Sequence, residues 1–207
     1  MTTNPEVELS HVHRFVDGNR ARPLLLLHGT GGDESDLLPI GELAAPGAAL
    51  LSPRGKVSEG GANRFFRRFA EGVFDIDDLK ARTQELSDFV VQARSSYGIG
   101  APIALGFSNG ANIAAAMLFL RPEVLAGAIL LRAMTPFETD APPDLAGKPV
   151  LILSGAMDPI VPADNAARLA AMLQAAGASV THRTMPAGHG LTQADLAETT
   201  AWLRAVH

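Results

Sequence analysis

One segment of this chain carries residues spaced for nucleophilic chemistry. Gly106-Phe107-Ser108-Asn109-Gly110 has the form G-x-S-x-G, which sets a serine on a sharp turn between a strand and a helix. The flanks fit that context. The apolar run Ile103–Phe107 leads into Ser108, and the small-residue run Asn112–Leu120 leads away. Glycine at 106 and 110 leaves room for backbone crowding at such a turn. The bland alternative is an ordinary glycine-rich turn that happens to hold a serine. A serine hydroxyl is a poor nucleophile at neutral pH. It needs a base within hydrogen-bond reach and a third group to orient that base.

The partners are sought downstream, because this motif is accompanied by the chain order nucleophile, acid, base. Of six histidines, only His182, His189 and His207 follow Ser108. His207 is the last residue, and His182 lies inside the strand candidate Val180–Met185. His189 sits in the loop Pro186-Ala187-Gly188-His189-Gly190 and is the expected base. The expected acid is Asp158, a few residues beyond the apolar run Val150–Leu153. Its rivals are placed less well. Glu138, Asp140 and Asp144 lie in a proline-rich stretch, Asp164 suits a first helical turn, and Asp195 comes after His189. An oxyanion needs backbone donors. The N–H groups of Asn109 and Thr30 are the candidates, the latter in His28-Gly29-Thr30-Gly31-Gly32-Asp33 directly after Leu24–Leu27. His28 stands too early to be the base and reads as a packed strand-end residue.

These residues need a scaffold that brings several strand ends together. Pro23–Leu27, Ala48–Leu51, Pro102–Phe107, Val124–Leu131 and Val150–Leu153 are short unbroken apolar runs. They suit strands buried on both faces, as in a parallel sheet. Val7–Val16 alternates instead, with Val7, Leu9, His11 and His13 on one face, which suits an antiparallel edge strand. Between the runs, Asp78–Tyr97, Asn109–Leu120, Pro162–Ala176 and Leu191–Val206 carry helical periodicity. The alternation predicts a single α/β domain over 1–207, with a mostly parallel, doubly wound sheet flanked by helices.

One connection is out of proportion. Pro53–Phe74 shows no clear strand or long helix, yet holds four of the nine phenylalanines. Either the loop is tacked down by its own rings, or it walls a ligand pocket. On the second reading Arg64, Phe65, Phe66 and Phe69 are the expected substrate-binding residues. Arg64, Arg67 and Arg68 either meet an anionic group or form a solvated face paired with Glu71, Asp75 and Asp77.

Composition narrows the classes. Across 207 residues, 47% are hydrophobic and 19% charged, which excludes general disorder. A net charge of −5 argues against nucleic acid as a partner. With no cysteine there is no disulfide, thiolate metal site or thiol nucleophile. No metal or cofactor is expected, since His11 and His13 form a pair without nearby acidic residues. No apolar run approaches the ~20 residues of a membrane span. Met1–Ser10 lacks the basic and apolar parts of a secretory signal. The expectation is a cytoplasmic protein without membrane insertion.

The pieces Leu27-His28-Gly29, Gly106-Phe107-Ser108-Asn109-Gly110, Gly155-Ala156-Met157-Asp158-Pro159-Ile160-Val161-Pro162 and Gly188-His189 run in order from 27 to 190. Together they resemble the α/β-hydrolase superfamily. Within it the chain looks like the phospholipase/carboxylesterase group that includes acyl-protein thioesterases and small bacterial carboxylesterases. Ser52-Pro53-Arg54-Gly55 and Arg64-Phe65-Phe66-Arg67-Arg68 look more like the bacterial carboxylesterase subgroup, and Asn109 stands where the thioesterases usually carry Gln. The resemblance implies a compact α/β-hydrolase fold without a separate lid domain. It implies a serine carboxylesterase acting on a small-molecule ester of small or medium size through an acyl-enzyme. Alternatives are an acyl-thioesterase, a lysophospholipase-like hydrolase, or a non-catalytic binding module on the same fold. Pairing in the family, with a mean hydropathy of +0.14, makes a homodimer a further expectation.

Overall fold

The computed structural model describes residues 9–206. In chain order the first elements are β1 (His13–Val16), β2 (Asn19–Leu27), α1 (Leu38–Ala44) and β3 (Ala48–Pro53). Two small hairpins follow, β4 (Val57–Glu59) with β5 (Ala62–Arg64) and β6 (Arg68–Ala70) with β7 (Val73–Phe74). The remainder is α2 (Ile76–Tyr97), β8 (Ile103–Phe107), α3 (Asn109–Leu120), β9 (Gly127–Leu131), β10 (Pro149–Gly155), α4 (Ala163–Ala175), β11 (Ser179–Met185) and α5 (Gln193–Val206).

Seven strands form the main sheet in the order β1-β3-β2-β8-β9-β10-β11. All neighbours are parallel except β1, which caps the edge antiparallel to β3. The leucine run of β2 shows why the sheet is buried on both sides. Leu24, Leu25, Leu26 and Leu27 have no exposed surface. Leu25 and Leu27 enter a core with residues of α2, α3 and α4, while Leu24 and Leu26 enter a second core with Ala44 of α1 and Leu203 of α5. A strand sandwiched this way has no polar face, so its sequence does not alternate.

The helices follow the same logic. On α2, Leu79, Leu86, Phe89, Val90 and Ala93 are buried. Arg82 is half-buried, and Thr83 takes the inward position beside it. Asp75 caps this helix by accepting from the Asp78 N–H at 3.1 Å.

Several expectations are corrected. Pro53–Phe74 is not strandless but folds into the two hairpins. Their signals were Gly60-Gly61 and Glu71-Gly72, two-residue turns with positive φ at Gly60, Gly61 and Gly72. The run Val124–Leu131 is divided: Pro122–Val124 is a 3₁₀ turn and the strand starts at Gly127. Helix α1 has no clear signal in the sequence, since it is short and holds Gly41. In the edge candidate Val7–Val16 the described strand is His13–Val16; Val7, like His207, lies outside the described residues.

Parallel strands all end on one side. Leu27, Phe107, Leu131, Gly155 and Met185 close their strands at the same edge of the sheet. The segments that continue from them hold Thr30, Ser108, Asn109, Arg132, Asp158 and His189.

Candidate active site

Ser108 sits between β8 and α3 with φ 53° and ψ −113°. This is a costly backbone conformation for a residue with a Cβ. Two glycines make it sterically feasible. A Cβ at Gly106 would lie 2.5 Å from the Gly110 carbonyl oxygen, and one at Gly110 would collide with the Leu27 carbonyl. The Ser108 N–H donates to Leu131 O at 2.8 Å, tying the turn to β9.

His189 Nε2 lies 2.9 Å from Ser108 Oγ, and its Nδ1 lies 2.8 Å from Asp158 Oδ2. A carboxylate accepts only, so Nδ1 carries the proton and Nε2 is left to accept from the serine hydroxyl. The Asp158 side chain is fully buried. Its other oxygen accepts the N–H groups of Ile160 at 2.8 Å and Val161 at 3.1 Å. These bonds aim the carboxylate at the imidazole. The three side chains come from loops after β8, β10 and β11, across 81 residues of chain between Ser108 and His189.

The N–H groups of Thr30 and Asn109 donate to no backbone carbonyl of the described residues. Both residues line the cleft that also contains Ser108 and His189. The loop holding Thr30 is strapped to the first hairpin. Gly31 N–H donates to Asn63 O at 2.9 Å, Asn63 Nδ2 donates to Gly32 O at 2.9 Å, and Arg64 Nη1 donates to Thr30 Oγ1 at 2.5 Å. The hairpin is bound from the other side as well: Phe65 N–H donates to Asn109 Oδ1 at 2.7 Å. His28 completes the strap. Its Nδ1 donates to Gly29 O at 2.7 Å and its Nε2 accepts from Gly55 N–H at 2.9 Å. Burial pushes the His28 imidazole below its ordinary value, which keeps Nε2 free to accept.

The pocket-wall expectation divides by residue. Arg64 lines the cleft, as do Arg68, Glu71, Gly72 and Phe74 from the same segment. Phe65 and Phe66 do not: they are buried in the main core, where Phe65 packs on His28 and Phe66 on Phe74. Phe69 is 75% exposed and stands apart from the cleft. The physical reason is position: Phe65 and Phe66 lie in the link between the two hairpins, which turns both rings into the core, whereas Phe69 sits in β6 with its ring in solvent. The segment is thus both tacked down by its rings and a wall. The arginine expectation is likewise refined. Arg67 pairs with Asp75 at 3.1 Å and Arg68 with Glu59 at 2.8 Å, while Glu71 and Asp77 take no part.

The His11 and His13 rings pack against Phe89, and His13 Nε2 bonds Tyr97 at 2.6 Å. Among the described residues no cluster of His, Cys, Asp and Glu is arranged to hold a metal, and no helix is long and apolar enough to cross a membrane. One contributor had no sequence signal. Arg132, at the end of β9, lines the cleft with its side chain buried.

The arrangement can take the proton from a hydroxyl nucleophile, and two residues whose N–H groups lack a backbone acceptor line the same cleft. Comparison with known proteins agrees with the fold. A model described as phospholipase/carboxylesterase matches residues 17–207. MhqD of Bacillus subtilis strain 168, a protein named as a hydrolase, is 44% identical over 194 residues, 93% of this chain and 97% of its own. The Bacillus cereus carboxylesterase structure superposes with a TM-score of 0.94 at 41% identity, covering 97% of this chain and 96% of that one. YahD, solved with malic acid, superposes at 0.90 with 32% identity, covering 95% and 100%.

Proposed function

The chain belongs to the phospholipase/carboxylesterase family, and from that premise we propose that it is a serine carboxylesterase working through an acyl-enzyme. The observation that carries this reading is the continuous hydrogen-bond line Ser108–His189–Asp158, at 2.9 and 2.8 Å.

In this mechanism Ser108 Oγ attacks the ester carbonyl carbon as its proton passes to His189 Nε2. Asp158 stabilises the imidazolium that forms and holds the ring in place. The negative charge on the carbonyl oxygen is met by the Thr30 and Asn109 N–H groups, which act without reorganising. The imidazolium then gives its proton to the departing alcohol oxygen. Water enters, His189 takes one of its protons, and the hydroxide adds to the acyl carbon. Collapse releases the acid and returns the proton to Ser108.

The cleft has a volume of about 260 Å³, just below the usual range of ligand pockets. Its lining mixes apolar Phe74, Phe107, Met134, Ile160 and Val161 with polar Arg64, Arg68, Glu71 and Asn112. This supports small esters with a polar portion and counts against long acyl chains of the lysophospholipid kind.

The test is a fluorophosphonate probe with mass mapping, run beside hydrolysis of p-nitrophenyl acetate. Labelling at Ser108 is expected in the wild type, and both labelling and hydrolysis are expected to vanish in Ser108→Ala. A wild type that resists the probe and leaves the ester intact would overturn the assignment.

A further inference from the structure

The strongest feature outside the triad is a buried ion pair behind the His189 loop. Arg132 has no exposed surface, and Asp195 is 2% exposed. The guanidinium donates to both Asp195 oxygens, at 2.9 and 2.8 Å. Its remaining donors all reach carbonyls: Nη1 to Leu153 O at 3.1 Å, Nε to Gly188 O at 2.9 Å and Nη2 to Gly190 O at 3.2 Å. All five N–H groups of the fork are therefore used. Gly188 and Gly190 are the residues on either side of His189.

Asp195 is fixed in turn. One of its oxygens accepts from the Thr192 N–H at 2.8 Å and the Thr192 hydroxyl at 2.7 Å, at the start of α5. Burial alone would raise its carboxyl, yet the bonds from Arg132 and Thr192 hold it below the ordinary aspartate range. Arg132 itself adopts φ 56°, unusual for a residue with a side chain. Its own N–H donates to Leu153 O at 2.9 Å.

A loop with glycine on both sides of its histidine has little stiffness of its own. Two carbonyls gripped by one planar fork supply it. We propose that Arg132, held by Asp195, is a positioning residue that fixes the His189 backbone so that the imidazole reaches Ser108. The proposal rests on the serine-hydrolase reading for its effect on rate. The bracing itself is independent of that reading.

Charge alone cannot do this work. A lysine would keep the charge but offers three donors from a single point, and cannot span Gly188, Gly190 and both Asp195 oxygens together. The experiment uses Arg132→Lys and Arg132→Gln, with folding checked by near-UV circular dichroism well below each variant's Tm. Misplacing a catalytic group by about 1 Å costs on the order of 10²-fold. For both variants, kcat and the fluorophosphonate labelling rate are expected to fall together by about that factor, with KM within about twofold. The His189 ring proton signal in NMR is expected to shift or broaden in both.

A folded Arg132→Lys that acylates at the wild-type rate with an unchanged ring signal would overturn the proposal. So would a deficit confined to Tm. If both arginine variants unfold, Asp195→Asn, which loosens the fork from its other end, is judged by the same readouts. If the wild type takes no label, the nucleophile assignment falls, and the ring signal alone then decides the bracing.

Discussion

At the scale of single residues, the site is an exercise in making each polar atom point one way. Asp158 is the clearest case. One oxygen is committed to the N–H groups of Ile160 and Val161, so the other has a single task, the His189 Nδ1 proton. Asp158→Asn keeps the shape and offers an NH₂ to a nitrogen that must donate. The ring is then driven to the tautomer in which Nε2 carries the proton and cannot take one from Ser108. The expected result is a loss of about 10⁴-fold in kcat with near-native Tm, read by steady-state kinetics and a thermal melt. Arg132 shows the same principle at a distance. It was invisible to motif reasoning because its partners, Asp195 and the glycine carbonyls, lie 56 to 63 residues away in sequence. Asp195 follows His189, the wrong order for the acid, and its place is structural support.

At the scale of elements, the tight crossing of β8, α3 and β2 explains the glycines of the motif. Gly110 packs its α-carbon against the end of β2, where a methyl group would strike the Leu27 carbonyl. Backbone cannot yield as a side-chain tip can. Gly110→Ala is therefore expected to cost at least about 1–3 kcal/mol through overpacking, measured as a lowered urea midpoint. Activity should fall too, because the displaced strand end carries the Thr30 loop. The hairpin β4–β5 carries no periodic signal in the sequence. Its role came from three-dimensional straps to Thr30, Gly31, Gly32 and Asn109. Its strands are three residues long, too short for periodicity to register, although Gly60-Gly61 was a usable turn signal.

At the scale of the whole molecule, folding hides imidazoles as well as leucines. His11 is buried beside Phe89, and burial, joined by Lys56, His13 and Arg82, lowers its pKa to about 4, with Glu85 opposing. In the unfolded chain the same group titrates near 6.5. The unfolded state then binds more protons between these values, so stability falls as the pH drops from about 6.5 to about 4. It is full above that window and flat below it for this group. His11 alone accounts for at most about 3 kcal/mol. His28 and His182 are also pushed down by burial and act in the same direction. Melting curves between pH 4 and 7 are expected to show Tm falling with acid, and His11→Phe to flatten part of that slope. An unchanged slope in the variant would rule out His11 as a contributor.

What the sequence by itself determined is whatever local chemistry writes locally. Leucine runs without alternation declared strands buried on both faces. Gly106-Phe107-Ser108-Asn109-Gly110 declared a strand, a strained turn and a helix. The order of Ser108, Asp158 and His189 followed from a known chain order, and the family followed from the same motifs. Only tertiary structure decided which side chains of Pro53–Phe74 face the cleft. Which way a side chain turns depends on what it packs against, and Phe65 and Phe66, in the link between the hairpins, found the core while Arg64 and Phe74 lined the cleft. Only tertiary structure, too, joined Arg132 to Asp195 and to the carbonyls flanking His189. A guanidinium recognises acceptors by their geometry in space, and spacing along the chain holds no record of that.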